Sequence, residues 1–270
     1  MTRPALLTTD FNETILQREL AGIRSGIAAV RRLYPEAGAE SIEIAGGLVA
    51  FTGVESPLSQ SYGIARQASV TAGEIDEITS FYETRGATPR VFVTPFSDPS
   101  LGRRLAAAGY APSEYESLLV SDCFDSYAAL DDRISVAANL NAWARASAQA
   151  FMDVEMLKPG DDRIAMVLAS SDGVSPLEAR EGDAIVATAA MDVRDGCAAL
   201  FAGSTMPAFR NRGWHTTMIR DRIARARAAG ARSMHATAKP ASISERNFHR
   251  CGFITFYTRT LWERSAATVN

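Results

Sequence analysis

The residues best placed to do chemistry are Met206-Pro207-Ala208-Phe209-Arg210-Asn211-Arg212-Gly213-Trp214-His215. An apolar, strand-like run, Ala198 to Thr205, precedes them, and a helical run starts near Thr216. A strand, a short basic glycine-containing turn and a helix N-terminus together make an anion site. The first backbone N–H groups of a helix have no partner within it, and the macrodipole turns its positive end towards them. Such a turn suits a phosphate or a pyrophosphate. It lacks the three glycines of a dinucleotide-binding fingerprint and the Gly-Lys-Ser/Thr of a P-loop. The competing reading is a basic turn that only starts a helix.

A second segment lies about thirty residues on: Ser242-Ile243-Ser244-Glu245-Arg246-Asn247-Phe248-His249-Arg250-Cys251-Gly252-Phe253. It reads as a short helix stopped by Gly-Phe before an aromatic strand. The two segments together resemble the GNAT superfamily of acyl-CoA-dependent N-acyltransferases, over residues 135–262. The turn matches the family's Arg/Gln-x-x-Gly-x-Gly/Ala pattern as Arg210-x-x-Gly213-x-His215, with Pro207 ahead of it. Asn247, Gly252 and Phe253 match the later helix.

The resemblance implies acetyl-CoA as cosubstrate and direct attack of an amine on its thioester. It implies that the end of the 197–206 strand splays from its neighbour, so that Ser204 and Met206 offer backbone groups to the pantetheine arm. Amides from Arg212 through Gly213, Trp214 and His215 to Thr216 would hold the pyrophosphate. The side chains of Arg210 and Arg212 would add charge-assisted contacts. Asn247 would meet the pantetheine or thioester side of the pocket. Two positions depart from the pattern. His215 stands where Gly or Ala is usual, with its side chain expected to point away from the phosphate. Phe248 stands where a tyrosine often acts as general acid. Tyr257 is the substitute acid to consider, against an ordinary strand aromatic. The 197–206 strand also lacks the frequent glutamate base. Asp192 and Glu155 are alternatives acting through water, but both read first as solvated surface charges.

Between 208 and 232 stand Arg210, Arg212, Arg220, Arg222, Arg225, Arg227 and Arg232, against Asp221 as the one acid. This is read as a solvated helix face beside a phosphate site; a nucleic-acid-binding helix is the alternative. No stacking aromatics interleave the arginines, and the net charge of −3 argues against the alternative. His215, His235 and His249 lack ligand spacing, so no metal is expected. Cys123, Cys197 and Cys251 are far apart and show no disulfide framework. The start of the chain lacks an apolar leader, and no run approaches the roughly 18 apolar residues of a membrane span. A cytoplasmic protein is expected, without nucleic-acid or membrane partners.

The elements read as a repeated order. A helix is expected over 10–33, with Asp10 and Glu13 as a capping box. A strand pair follows at 41–52, broken at Gly46-Gly47. Then come a helix at 73–85, a strand at 90–94, a helix opened by Asp98-Pro99, and a strand at 115–120. The polar stretch at 122–134 marks a boundary. The second half reads as helices at 141–151 and 161–171, strands at 177–181, 184–194 and 197–206, a helix at 216–229, a strand at 232–237, a helix at 242–250 and a strand at 253–262. Asp195-Gly196 signals a hairpin.

The first half resembles the same family more faintly, and its turn near Gly63 to Gln67 lacks the Arg-x-x-Gly-x-Gly pattern. The fold expected is therefore α/β (α+β): two tandem GNAT-like domains, each a mixed central sheet flanked by helices. Residues 1–125 form the degenerate domain and 134–270 the acetyl-CoA-binding one. The acceptor is an amine, on a small molecule or a peptide, and the protein a monomer or homodimer. A non-catalytic CoA-binding or sensing module and a nucleic-acid-associated protein using the arginine-rich helix are the other functional classes.

Overall fold

Apolar periodicity sets the element order, seen here in a computed structural model that describes residues 7–122 and 130–264. The expected boundary stretch falls mostly outside them, as does Cys123. In chain order the elements are α1 (Thr9–Leu33), β1 (Glu40–Ile44), β2 (Gly47–Phe51), β3 (Ser61–Tyr62), α2 (Ala72–Glu83), β4 (Arg90–Val93), α3 (Ser100–Ala107) and β5 (Tyr110–Ser121). They continue with β6 (Ile134–Val136), α4 (Leu140–Met152), α5 (Arg163–Ala169), β7 (Val174–Glu181), β8 (Ala184–Arg194) and β9 (Cys197–Thr205). The last are α6 (Trp214–Ala228), β10 (Ser233–Ala238), α7 (Ile243–Arg250) and β11 (Ile254–Arg264).

The chain forms two compact units. One runs to Arg18 and resumes over Leu118–Phe256; the other takes Glu19–Ser117 and the chain from Tyr257 on. In the first unit the strand order is β5–β10–β9–β8–β7–β6, with β5 contributing only its end. The pair β9–β10 is parallel, while β6–β7, β7–β8 and β8–β9 are antiparallel. Strand side chains alternate between faces, and this splits the core in two. Ala187, Ala189 and Met191 of β8 join Trp214, Met218, Ile219 and Ile223 of α6. Ala190, one residue out of step, packs with Trp143 and Ala144 of α4 and with Ala165 and Ala169 of α5. Helices therefore cover both faces of β8. Trp143 is fully buried, and its indole N–H donates to Leu177 O at 2.8 Å, so the ring adds apolar burial without an unsatisfied donor.

In the second unit the order is β1–β2–β3–β4–β11, antiparallel except for β3–β4. Ile75, Ile78, Phe81 and Tyr82 of α2 and Leu101 and Leu105 of α3 pack on Val49, Phe51 and Val91. Gly47 is required where β2 meets β3: a Cβ there would lie 2.4 Å from Tyr62 O. Arg259 is buried between Glu19 and Glu116, both at 2.9 Å, and lies 4.3 Å over the Phe92 ring.

Three local expectations need correction. Asp10 does not cap α1; Thr8 does, its Oγ1 accepting from Phe11 N at 3.2 Å, while Glu13 accepts from Gln17. β5 starts at Tyr110, because strand pairing carries it through the exposed residues 111–115 that lack alternation. α6 starts at Trp214, since the left-handed Gly213 ends the turn one residue before it.

Candidate cofactor site

The site is built on β9. Its register with β10 runs from Cys197↔Ser233 to Leu200↔Ala236 and stops there, although both strands continue. On the other side β9 stays with β8, but Ala190↔Phe201 is followed by Thr188↔Ser204. Ala202 and Gly203 thus face the single residue Ala189, and Ala202 takes φ 49°. This is a β-bulge, and a bulge bends its strand. The stretch Phe201–Thr205 is left without a β10 partner, so its edge is open to an extended ligand. Ser204 lies on this stretch, its hydroxyl 2.8 Å from Thr188 Oγ1. Met206 has less to offer: its N–H donates to Val186 O at 2.9 Å and its carbonyl accepts from Phe209 N at 2.9 Å.

The turn then reverses the chain. Pro207–Phe209 is a single 3-10 turn, Asn211 has φ 62° and Gly213 φ 84°. Two left-handed residues in three bring the chain round into α6. Gly213 is the N-cap, and no side chain caps the helix. The first amide bonded back to the turn is that of Thr217, donating to Gly213 O at 3.0 Å. The amides before it are the unpartnered donors of a helix start. By contrast, α2 carries a full capping box from Thr71 and Glu74, and Asn139 and Ser242 cap α4 and α7. The turn near Gly63 is closed as well: Ala65 N donates to Ala45 O at 3.0 Å, and Ala65 O accepts from Asp98 N at 2.6 Å.

The side chains around the turn have their own partners. Trp214 is buried and donates from Nε1 to Glu181 at 3.0 Å, which anchors the start of α6. Arg210 turns to the end of α4, reaching Ala150 O at 3.0 Å and Asp153 at 2.9 Å. Arg212 lies 3.7 Å from Glu181 and over the Phe209 ring. In this arrangement Arg210 and Arg212 are engaged with Asp153 and Glu181, and the α6 start carries no side-chain cap. Thr216, in the first turn, is partly buried.

His215 points inward. Its Nδ1 lies 3.1 Å from Asn247 Nδ2, and Arg250 donates to Asn247 Oδ1 at 2.8 Å. The arginine fixes which end of the amide faces the imidazole, so Asn247 donates and Nδ1 accepts. Burial, helped by the Arg222 charge, lowers the His215 pKa to about 4. The ring is neutral at pH 7, with its proton on Nε2. Asn247 and His215, matched to two separate segments, thus form one unit. Phe248 is core, edge-on to Phe253 at 4.9 Å.

Tyr257 belongs to the second unit, edge-on to Phe96 at 5.5 Å, and burial pushes its phenol well above the ordinary range. Asp192 is not a surface charge. It is 4% exposed, paired with Arg18 and 3.4 Å from Arg194. A carboxylate held by two arginines is a poor base. Glu155 is exposed. The arginine face also needs revision: Arg222 is in the interior and Arg225 pairs with Asp221 at 2.5 Å. The spacing carried that signal, since Ile219, Arg222, Ile223 and Ala226 share one helical stripe.

Residues 140–253 match the acetyltransferase (GNAT) family. Among solved structures, the chain is similar to a GCN5-related N-acetyltransferase from Kribbella flavida, at 14% identity and TM-score 0.60 over 91% of this chain and 97% of that one. It is also similar to a tandem GNAT protein from the clavulanic acid biosynthesis pathway, at 11% identity and TM-score 0.58 over 83% and 80%. A functionally unknown conserved protein from Staphylococcus epidermidis follows at 13% and 0.57 over 87% and 96%. A search of curated proteins finds no match. At these identities the structures speak for the fold, and the family match for the domain. Residues 140–253 thus carry the match to the GNAT acetyltransferase family, within a chain whose fold is that of solved GNAT proteins.

Proposed function

We propose that this protein transfers an acyl group, acetyl in the simplest case, from coenzyme A to an amine. The observation that supports this best is the run of an open β9 edge, a left-handed Gly213 and an uncapped helix start, in that order. The pyrophosphate would take the amides from Arg212 to Thr216, where unpartnered donors and the macrodipole favour an anion. The pantetheine would run back along the β9 edge past Ser204, with Asn247 on the far side. Arg210 and Arg212 would have to leave their half-exposed ion pairs to reach the phosphates; such pairs hold them by no more than about 1 kcal/mol.

The chemistry is addition and elimination. The amine lone pair attacks the thioester carbonyl carbon, the C–S bond breaks, and the thiolate leaves, taking up through water the proton that the amine nitrogen loses. Holding both reactants in line supplies much of the rate, with no covalent enzyme intermediate. A free thiol has a pKa near 8.5, so the thiolate leaves without a strong acid. The reading therefore needs no proton from Tyr257, whose raised pKa makes it a weak donor. We read 1–125 and 134–270 as tandem repeats in which the first has lost the cofactor turn. Its α2 start is already closed by Glu74. The acceptor's identity, a cytoplasmic setting and a monomer or homodimer without nucleic acid remain part of this proposal. Among the described residues no helix is long and apolar enough to cross a membrane.

The test is thiol release from acetyl-CoA with a panel of amino acids, polyamines, aminoglycosides and peptide amines. Release with one amine class supports the enzyme. CoA binding without release across the panel makes the protein a binding module. No binding of CoA by folded protein removes the reading.

A further inference from the structure

Beneath the β9 bulge lies a charge that the chemistry above does not use. Arg222, on α6, is 1% exposed. Its Nε donates to Met218 O at 3.1 Å, and its Nη1 to Ala190 O at 3.3 Å and Phe201 O at 3.2 Å. Its Nη2 is buried and donates to no group among the described residues. Among the described residues no carboxylate pairs with it directly, and the adjacent Asp221 is bonded to Arg225 and to Asp131 N. Burial lowers the guanidinium to about 10, which leaves it charged at neutral pH. A buried cation with a spare N–H is a costly arrangement, and such groups call for an explanation.

The spare nitrogen lies beside Gly203. A Cβ built on Gly203 would stand 3.4 Å from Arg222 Nη2 and 3.6 Å from His215 Nε2. Both nitrogens therefore flank the side of the Gly203 Cα on which a side chain would stand, and Gly203 itself is exposed on the open part of β9. Both are donors, since Asn247 holds the imidazole with its proton on Nε2. Two donors flanking one space select an atom with two lone pairs and reject a hydroxyl or amine proton.

We infer that Arg222 Nη2 and His215 Nε2–H form a pocket for the carbonyl oxygen of the CoA thioester, with Gly203 leaving room for that oxygen. This rests on the acyltransferase reading and names the groups that would serve it. As the amine adds to the carbonyl carbon, the π pair moves onto the oxygen. The two N–H donors take up that charge; Nη2 is itself out of contact with water, where a donor acts most strongly. Collapse restores the carbonyl and expels the thiolate. Arg222 and His215 are then catalytic residues, while Asn247 and Arg250 are positioning residues that fix the imidazole's tautomer.

The experiment is difference infrared spectroscopy of acetyl-CoA carrying ¹³C at the thioester carbonyl, with calorimetry of acetyl-CoA and CoA on the same samples. The proteins are wild type, Gly203→Ala and Arg222→Lys. Gly203 has no left-handed φ, and the added methyl makes ordinary contacts, so Gly203→Ala should fold. In the wild type the carbonyl band should move to lower wavenumber on binding. In Gly203→Ala the shift should vanish while affinity for CoA, which lacks the acyl group, is unchanged. Arg222→Lys should weaken the shift if it folds; Gly203→Ala decides the matter if it does not. Wild type that binds acetyl-CoA without a shift, or Gly203→Ala with the full shift, overturns the inference and leaves the acyltransferase reading standing. Wild type that binds neither ligand overturns that reading itself.

Discussion

Replacing Gly213 by Asp and, separately, by Asn separates backbone geometry from charge at the turn. Gly213 sits at φ 84°, ψ −4°, and a Cβ there would meet nothing within 4 Å. Neither variant clashes, so the shared cost is conformational. A left-handed residue with a side chain costs roughly 1–2 kcal/mol, with Asn and Asp among the more tolerant. Only Asp adds a negative charge, and it adds it at the start of α6 where the pyrophosphate would bind. At about 4–5 Å from a phosphate and an effective dielectric near 20, the repulsion is about 3–4 kcal/mol. That corresponds to a loss of about 10²- to 10³-fold in affinity, less at high salt. The assay is calorimetric titration of CoA at low and at moderate ionic strength. Asn should cost a few-fold and Asp at least ten times more, with similar melting temperatures for both. Equal losses in the two variants would mean that shape, not charge, matters at this turn. Wild-type binding in both would remove the turn as the phosphate site.

Three further outcomes follow from the same geometry. His215 is held neutral, with a pKa near 4 against about 6.5 in the unfolded chain, so the unfolded state binds the extra proton between those values. Stability should therefore be undiminished above pH 6.5 and fall as pH drops towards 4, by an amount on the order of 3 kcal/mol. Urea unfolding of His215→Gln should lack this part of the slope; an unchanged slope would contradict the burial argument. Asp192→Ala strands Arg18 in the interior and should cost about 3–5 kcal/mol, whereas Arg18→Met with Asp192→Leu should recover most of it. A double variant no more stable than Asp192→Ala would contradict this. Thr71→Ala breaks the α2 capping box and should cost about 1 kcal/mol in thermal unfolding without changing CoA affinity.

Local chemistry made much of the fold legible. Asp195-Gly196 takes φ 51° and 75°, the backbone that the β8–β9 hairpin needs, and Ala45-Gly46 does the same for β1–β2. Arg210-x-x-Gly213 and Asn247 to Phe253 marked the α6 turn and α7 because each motif is a short-range backbone requirement. Where local signals competed, long-range pairing decided. β5 extends through residues with no alternation, and Thr8 rather than Asp10 caps α1.

Apart from the helical stripe that carries Arg222, the charged interior was not legible in the sequence. Asp192 sits at the end of an alanine-rich strand and reads as solvated there; only helices on both faces of β8 make it buried and force its pairing with Arg18. Arg222 lies on the apolar stripe of α6, but its place under the β9 bulge depends on a register with β8 and on the end of pairing with β10. Arg210 matches the motif, yet its guanidinium follows α4, sixty residues earlier in the chain. The sequence by itself determined the turn, the glycine and the helix start, because backbone conformation and unpartnered amides are local properties. Tertiary structure alone decided which charges are buried and which nitrogen of His215 carries the proton, because those depend on groups brought together from distant strands and helices.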